Sequence, residues 1–425
     1  MRFVSGFDAA KKLLERLVTT SSGDAVLEHS VRAIIDEVIR DGDAALKRFT
    51  AKFDRVELQT LEVPRAKIEA AKLAIDRDLL VALETAAGRI RSYHQEQREA
   101  LFGTEIAMSG RQMFRVLERV GVYAPGGKAY YPSTVLMTAI PARAAGVTEV
   151  ILATPPGPDG NVPAPTLAAA AIAGVDRVFS IGGAQAIAAL ACGTETVPKV
   201  DKICGPGNIY VMTAKKLVYG ATAIDGLQGP SEVLIIADET ANPAFVGADM
   251  LAQAEHDAMA QSVLVTTSQT LANQVQAAIR AELSESGRSE IIQKSLEEHG
   301  IIAVVETFEE AVELANLYAP EHLLILATDS GKILKNVENA GCVFIGDKAS
   351  VAFGDYVAGP SHALPTGGTA RFASPLNVLD FLKIIDVVRV DEAMVKSLGP
   401  AAATIAKAEG LTAHAKALRL RMEAP

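Results

Sequence analysis

The sequence predicts an α/β fold: two doubly wound units, each on a parallel sheet, one inserted in the other, with helical N- and C-terminal segments. Three observations carry this. Downstream of Val116, short β-branched runs alternate with Ala- and Leu-rich stretches, and such alternation implies parallel sheets. Pro/Gly-rich crossings near Tyr123 and at Gly229–Ser231 divide the alternation into two sets. Upstream of Val116, and again from about Pro375, residues of strong helix propensity dominate.

In order, Asp8–Thr19, Asp24–Phe49 and Arg65–Ala107 carry apolar residues near the helical period, and polar Thr50–Val63 interrupts them. Arg119–Gly127 reads as a strand entering a Gly-rich turn. Helix Ser133–Ala145, strand Glu149–Thr154, helix Pro163–Ala173, strand Arg177–Ile181 and helix Gly182–Ala191 follow. The second set is strand Glu232–Ala237, helix Pro243–Ala254, strand Ser262–Thr267 and helix Leu271–Leu283. It continues with strand Gly300–Val305, helix Phe308–Ala319 and strands Leu323–Ala327 and Val343–Ile345. The expected division is 1–22 as an N-terminal helical segment, 23–122 with 232–374 as a discontinuous α/β domain, 123–231 as a second, inserted α/β domain, and 375–425 as a helical tail. Both α/β units are expected to be Rossmann-like.

Hydrophobic residues at 49% and charged residues at 22% exclude global disorder. A formal charge of −10 argues against nucleic-acid binding and against anionic membranes. Trp is absent and aromatics are 5%, so stacking platforms for single strands are scarce. Cys192, Cys204 and Cys342 lack Cys-x-x-Cys spacing and are too few for a disulfide framework. Met1–Ala10 holds no signal-peptide core, and no run nears the roughly 18 apolar residues of a membrane helix. A cytoplasmic protein is expected.

Four histidines stand out by context, whereas His29, His94 and His299 read as surface residues. Gln253 and His256 are i, i+3 at the end of a helix whose stripe is Val246, Met250, Gln253. They are either a helix-end hydrogen-bond pair or an oxygen and a nitrogen ligand for a metal. Glu321-His322 follows Pro320 at the amino end of an apolar strand. It is either a solvated turn or a base near neutrality beside a carboxylate. Asp347–Gly368 reads as a long Gly/Pro loop holding Asp355, a candidate ligand, and His362. Glu409-Gly410 reads as a helix C-terminus with Gly410 as left-handed cap. Thr412 reads as the N-cap of a last helix, Ala413–Met422, so Glu409 and His414 flank one corner. Neither Gly-x-Gly-x-x-Gly nor a Walker loop occurs. Three Gly-rich turns, Ala124–Gly127, Ile181–Gln185 and Cys204–Asn208, nonetheless crowd one unit, which favours a dinucleotide or a phosphorylated ligand.

Seven blocks then resemble the histidinol dehydrogenase family, in its order and spacing: Ile203–Val211, Gly229–Leu234, Gln253–His256, Ala319–His322, Gly354–Tyr356, Leu364–Arg371 and Ala408–His414. The resemblance implies oxidation of L-histidinol through L-histidinal to L-histidine, the last two steps of histidine biosynthesis, with two NAD+ and one zinc per subunit. It carries the zinc ligands over to Gln253, His256, Asp355 and His414, the general base to His322, and activation of water to Glu321. Ser231, His362 and Glu409 match substrate-contacting positions, shared with His322 and the four zinc ligands. Tyr123, Gln185 and Asn208 match cofactor positions. It further implies a homodimer in which each tail completes the other subunit's site. The alternative among enzymes is a paralogous zinc/NAD dehydrogenase for another small alcohol, such as a sulfonated diol. Outside enzymes it is a ligand-binding regulator that has lost catalysis. Glu409 and His414 speak against the first and Glu321-His322 against the second.

Overall fold

The alternation of strands and helices resolves into two parallel sheets in a computed structural model that describes residues 1–15, 25–102, 112–127, 130–283 and 287–424. The first elements are β1 (Arg2–Ser5), α1 (Phe7–Leu14), α2 (Ala25–Phe53), α3 (Arg65–Ala70), α4 (Arg77–Phe102) and β2 (Gln112–Val116). Next come β3 (Arg119–Tyr123), α5 (Pro132–Ala145), β4 (Glu149–Thr154), α6 (Ala164–Ala173), β5 (Arg177–Ser180), α7 (Gly183–Cys192), β6 (Lys202–Cys204), α8 (Ile209–Val218) and β7 (Ala223–Ile224). The second set is β8 (Glu232–Ala237), α9 (Pro243–Ala254), β9 (Gln261–Thr266), α10 (Gln269–Leu283), α11 (Ser289–His299), β10 (Ile301–Val304) and α12 (Phe308–Tyr318). Then follow β11 (His322–Leu326), α13 (Ser330–Leu334), β12 (Cys342–Ile345), α14 (Val351–Tyr356), β13 (Leu382–Asp386), α15 (Glu392–Ala408) and α16 (Thr412–Glu423).

One sheet has the order β5-β4-β3-β6-β7 and the other β1-β10-β9-β8-β11-β12, with parallel neighbours throughout. Each grows outward from a central strand (β3, β8) and then returns to that strand's other side. This leaves a switch point between β3 and β6 and another between β8 and β11, where a doubly wound sheet opens a crevice at its strands' carboxyl ends. Helices cover both faces, so β8 is buried along its whole length and its Val-Leu-Ile-Ile-Ala run shows no alternation.

Several expectations are corrected. The N-terminal segment read as helical opens with a strand: Arg2 pairs with Ile301 and Ser5 with Val304, a run too short for a periodic signal. The crossing at Tyr123 ends β3, which is the central strand of the five-stranded sheet. Helix α2, read together with 232–374, instead packs Val31, Ile35, Val38 and Leu46 into a core with Ile187, Leu190 and Val211 of α7 and α8. Glu62 bridges Phe179 in antiparallel fashion and covers the free edge of β5. The ends of the helices expected at Asp8–Thr19 and Arg65–Ala107, and the division at 22, lie outside the described residues.

A second compact unit comprises Leu101–Arg115 and Lys383–Pro425. Taken by itself, it pairs β13 with β2, with Gln112 Nε2 donating to Asp386 Oδ1 at 3.0 Å. It then folds α15 and α16 into a hairpin. Gly399 admits Met422, whose sulfur lies 2.6 Å from where a Cβ would stand. The tail is therefore not helical from Pro375: a 3₁₀ turn (Val378–Phe381) and β13 precede α15.

Candidate active site

Most of the chemistry-bearing residues of the six-stranded sheet gather at its amino ends. Helix α12 stops where Ala319 turns left-handed (φ 50°) and Pro320 follows, and β11 begins two residues later with His322. Register sets His322 opposite Val233 of β8 and Cys342 of β12. His322 Nδ1 lies 3.1 Å from the Glu232 carbonyl oxygen. A carbonyl only accepts, so Nδ1 carries the proton and Nε2 is the bare nitrogen. Nε2 is 3.8 Å from Asp355 Oδ1. Burial lowers the His322 pKa; the Asp355 charge and the Glu232 bond oppose this, and His256 and His362 add to it.

Glu321 Oε2 accepts the Glu232 N–H at 2.8 Å. Its pKa is well above the usual carboxylate range, mainly through burial, with the Glu232 N–H opposing and the charges of Glu232 and Asp355 adding. The backbone of one residue thus grips both members of the Glu-His pair. Glu232 Oε1 also accepts the Gly367 N–H at 3.1 Å, and Gly229 N–H donates to Thr366 Oγ1 at 2.5 Å, so the 364–371 segment is tied to the same strand head. Sequence reading missed Glu232. Its signal was one carboxylate opening a strand that is otherwise wholly apolar. Ser231 precedes it, its carbonyl accepting the Gln261 N–H at 2.9 Å.

Val246, Met250 and Gln253 are all buried, as their stripe predicts, and the carboxamide of Gln253 has neither atom hydrogen-bonded. His256 is not on that helix face. Helix α9 ends at Ala254, and His256 lies on the exposed turn beyond, with its N–H donating to Gln253 O at 3.3 Å. Asp355 sits on the short helix α14 rather than in open loop, because Ser350 caps it through the Ala352 N–H. The Asp355 carbonyl oxygen is 3.0 Å from His362 Nδ1, so Nε2 of His362 is bare as well. Burial lowers the His362 pKa against the Asp355 charge. Asp355 and His256 act electrostatically on both buried imidazoles, which brings the four together. Of the three histidines read as surface, His94 is instead fully buried on the inner face of α4, with Nδ1 at 3.2 Å from Gln97 Oε1.

The three Gly-rich turns meet at the carboxyl ends of the five-stranded sheet. Tyr123 ends β3, and its hydroxyl accepts the Gly183 N–H at 3.0 Å; burial pushes its pKa up to about 12. Gln185 is buried in the first turn of α7. Asn208 caps α8, with Oδ1 accepting the N–H groups of Tyr210 and Val211. A Cβ on Gly182 would stand 2.6 Å from Pro155 Cβ, so only glycine lets that turn close on the end of β4. From β7 the chain needs only Asp225–Ser231 to reach β8. Fully extended, that span is at most about 25 Å, so the carboxyl end of one sheet leads directly to the amino end of the other.

On the second unit, Glu409 ends α15 and Gly410 is left-handed (φ 75°), as expected. Thr412 is the first helical residue of α16 rather than its cap, which is Leu411. Glu409 and His414 are exposed.

Among the described residues, no three or more His, Cys, Asp or Glu side chains are placed to hold a metal ion by themselves. On the first unit, the donor chemistry of Gln253, His256 and Asp355 suits such an ion nonetheless. The buried member of the three is a carboxamide, and that carboxamide is the orphaned one. A buried amide without partners costs about 1–3 kcal/mol, and a cation on its oxygen relieves the oxygen's share of that cost. Among the described residues no helix is long and apolar enough to cross a membrane.

The model of the family described as histidinol dehydrogenase matches residues 18–422. A histidinol dehydrogenase of Dehalococcoides mccartyi (strain CBDB1) is 56% identical over 436 aligned residues, covering 100% of both chains. One of Aquifex aeolicus (strain VF5) is 51% identical over 417, covering 96% of this chain and 97% of its own. The crystal structure of histidinol dehydrogenase from Elizabethkingia anophelis superposes with a TM-score of 0.91 at 35% identity, covering 100% of this chain and 98% of that one.

Proposed function

Because the chain belongs to the histidinol dehydrogenase family, and so is an oxidoreductase that carries histidinol to histidine, we propose that histidinol is oxidised at the amino-end cluster, with Glu321 and His322 as the catalytic residues. The observation that carries this is the double grip of the Glu232 backbone on Glu321 and His322.

Oxidising an alcohol removes a proton from oxygen and a hydride from carbon. His322 Nε2, bare and kept neutral by burial, takes the hydroxyl proton, and the facing Asp355 carboxylate steadies the imidazolium that results. The aldehyde must add water before a second hydride can leave. Glu321 takes the proton of that water, since a carboxylate whose pKa is raised is the stronger base once ionised. As water adds, the His322 imidazolium returns its proton to the aldehyde oxygen, and the neutral ring then serves the hydrate as it served the alcohol. Gln253, His256, Asp355 and His414 are assigned to one zinc per subunit, and Ser231, His362 and Glu409 to substrate contacts. NAD is the oxidant of the family, and Tyr123, Gln185 and Asn208 are assigned to NAD+. When bound, zinc supplies an electrophilic anchor for the substrate and NAD+ the hydride acceptor. We further assign Glu409 and His414 of each chain to the other subunit's site in a cytoplasmic homodimer. Exposed Ile384, Val388, Leu398, Ile405 and Leu420 support this, as large apolar side chains on the second unit that a second copy would cover.

The test compares His322→Asn and Glu321→Gln on histidinol and on histidinal supplied directly. His322→Asn is expected to slow both oxidations, and Glu321→Gln the aldehyde step alone, by about 10²-fold or more. Glu321→Gln oxidising histidinal at the parental rate while failing on histidinol would reverse the assignment.

A further inference from the structure

We propose that the buried Lys215–Asp225 ion pair is a positioning device for the cofactor loop Gly205–Asn208, which it grips through both backbone groups of Gly205. The inference rests on the reading of that loop as part of the NAD+ site.

Lys215 lies on α8 and Asp225 one residue past β7, with side chains 0% and 1% exposed. Lys215 Nζ donates to Asp225 Oδ1 at 2.5 Å, to Gly205 O at 3.0 Å and to Gln228 Oε1 at 3.0 Å. An ammonium has three protons, so all are committed. The other carboxylate oxygen, Asp225 Oδ2, accepts the Gly205 N–H at 2.7 Å. Asp225 is itself fixed to β6 by its N–H, which donates to Ile203 O at 3.1 Å.

Gly205 needs this grip. At φ 118° it passes so close to β3 that a Cβ would stand 2.1 Å from Tyr123 O. Only glycine fits there, yet glycine brings no side chain to anchor the turn, and Pro206 brings no N–H. The ion pair supplies what the sequence of the turn cannot. A buried ion pair is a poor source of net stability, since apolar replacement of both partners is often neutral. What this pair does instead is fix the turn at the β3/β6 switch point, and with it Asn208 and the first turn of α8 relative to the Tyr123 hydroxyl.

The test uses the zinc-loaded enzyme. The double variant Lys215→Met/Asp225→Leu removes the grip without stranding a charge. We expect KM for NAD+ to rise about tenfold or more, with KM for histidinol and kcat at saturating NAD+ changed less than about twofold. Calorimetric Kd for NAD+ without histidinol should move in parallel. Hydrogen exchange resolved to single amides should show Gly205 protected in the parent and about 10²-fold less so in the double variant. Lys215→Arg, which keeps donors toward Asp225 and the Gly205 carbonyl, should retain most of the NAD+ affinity. Parental Gly205 exchanging like a free loop amide would overturn the inference even if neither variant folds. Unchanged Gly205 protection in a folded double variant would overturn it while leaving the cofactor reading intact. Lost protection with unchanged NAD+ binding would overturn the cofactor reading, and this inference with it.

Discussion

Replacing Gln253 with Leu should make the zinc-free protein more stable and the zinc-loaded protein less so. The side chain is 2% exposed, and neither its oxygen nor its nitrogen is hydrogen-bonded. Leaving such a group buried costs about 1–3 kcal/mol, and Leu fills a similar volume without that cost. Chelated Gln253→Leu should therefore exceed the chelated parent by about 2 kcal/mol in denaturant unfolding. Zinc at a hundred times its Kd stabilises the parent by about 2.7 kcal/mol. Losing one ligand of four should remove most of that gain, so the order inverts once metal is added. The assay is urea unfolding at fixed protomer concentration, with metal content measured at each point. A chelated variant less stable than the chelated parent would show that the amide is satisfied without metal and would refute the ligand argument.

Inactive His256→Ala chains mixed with inactive His414→Ala chains should recover roughly a quarter of parental activity if sites are shared between subunits, since about half the dimers are mixed and each holds one intact site. Zero activity after exchange proven by mass would place the site within one chain. Burial pushes the Asp54 carboxyl from 3.8 up to about 6. The folded state then binds the extra proton, so this group's contribution is full below about pH 4 and is lost as pH rises through about 6. Asp54→Asn should accordingly stabilise the protein by about 1 kcal/mol at pH 7.5, after allowance for solvent near the group, and by nothing at pH 4. Equal effects at both pH values would deny the shift.

Wherever apolar runs or helical periods are long and uninterrupted, the sequence already shows the architecture. Glu149–Thr154 and Glu232–Ala237 were readable as buried strands, and the helices between them as Ala- and Leu-rich runs. Lys202–Cys204 and Ala223–Ile224 were not, because strands of three and two residues carry no period. Arg2–Ser5 is a strand only because β10 is there to pair with it. The site divides in the same way. Gln253, Glu321, His322 and Asp355 were legible as residue types at telling places. Glu232 was not, because its backbone, and not its side chain, holds the Glu-His pair. Lys215 and Asp225 were hidden for a different reason: a Lys on a helix and an Asp after a strand are ordinary surface residues until the fold buries both.

The pairing of β1 with β10 also sets a clock. Arg2–Ser5 is synthesised long before Ile301–Val304 and lacks its strand partner until that segment follows. At about 5–20 residues per second, that gap is roughly 15–60 s. Throughout it, Val4, Ala10 and Leu14 lack Ile301, Ala303 and Leu314, with which they share one core. The five-stranded sheet, spanning Arg119–Ile224, is synthesised in full within the same interval. A cell making this protein must keep the apolar residues of β1 and α1 soluble while the five-stranded sheet is already complete, and β1 is the strand of its sheet that waits longest for its partner.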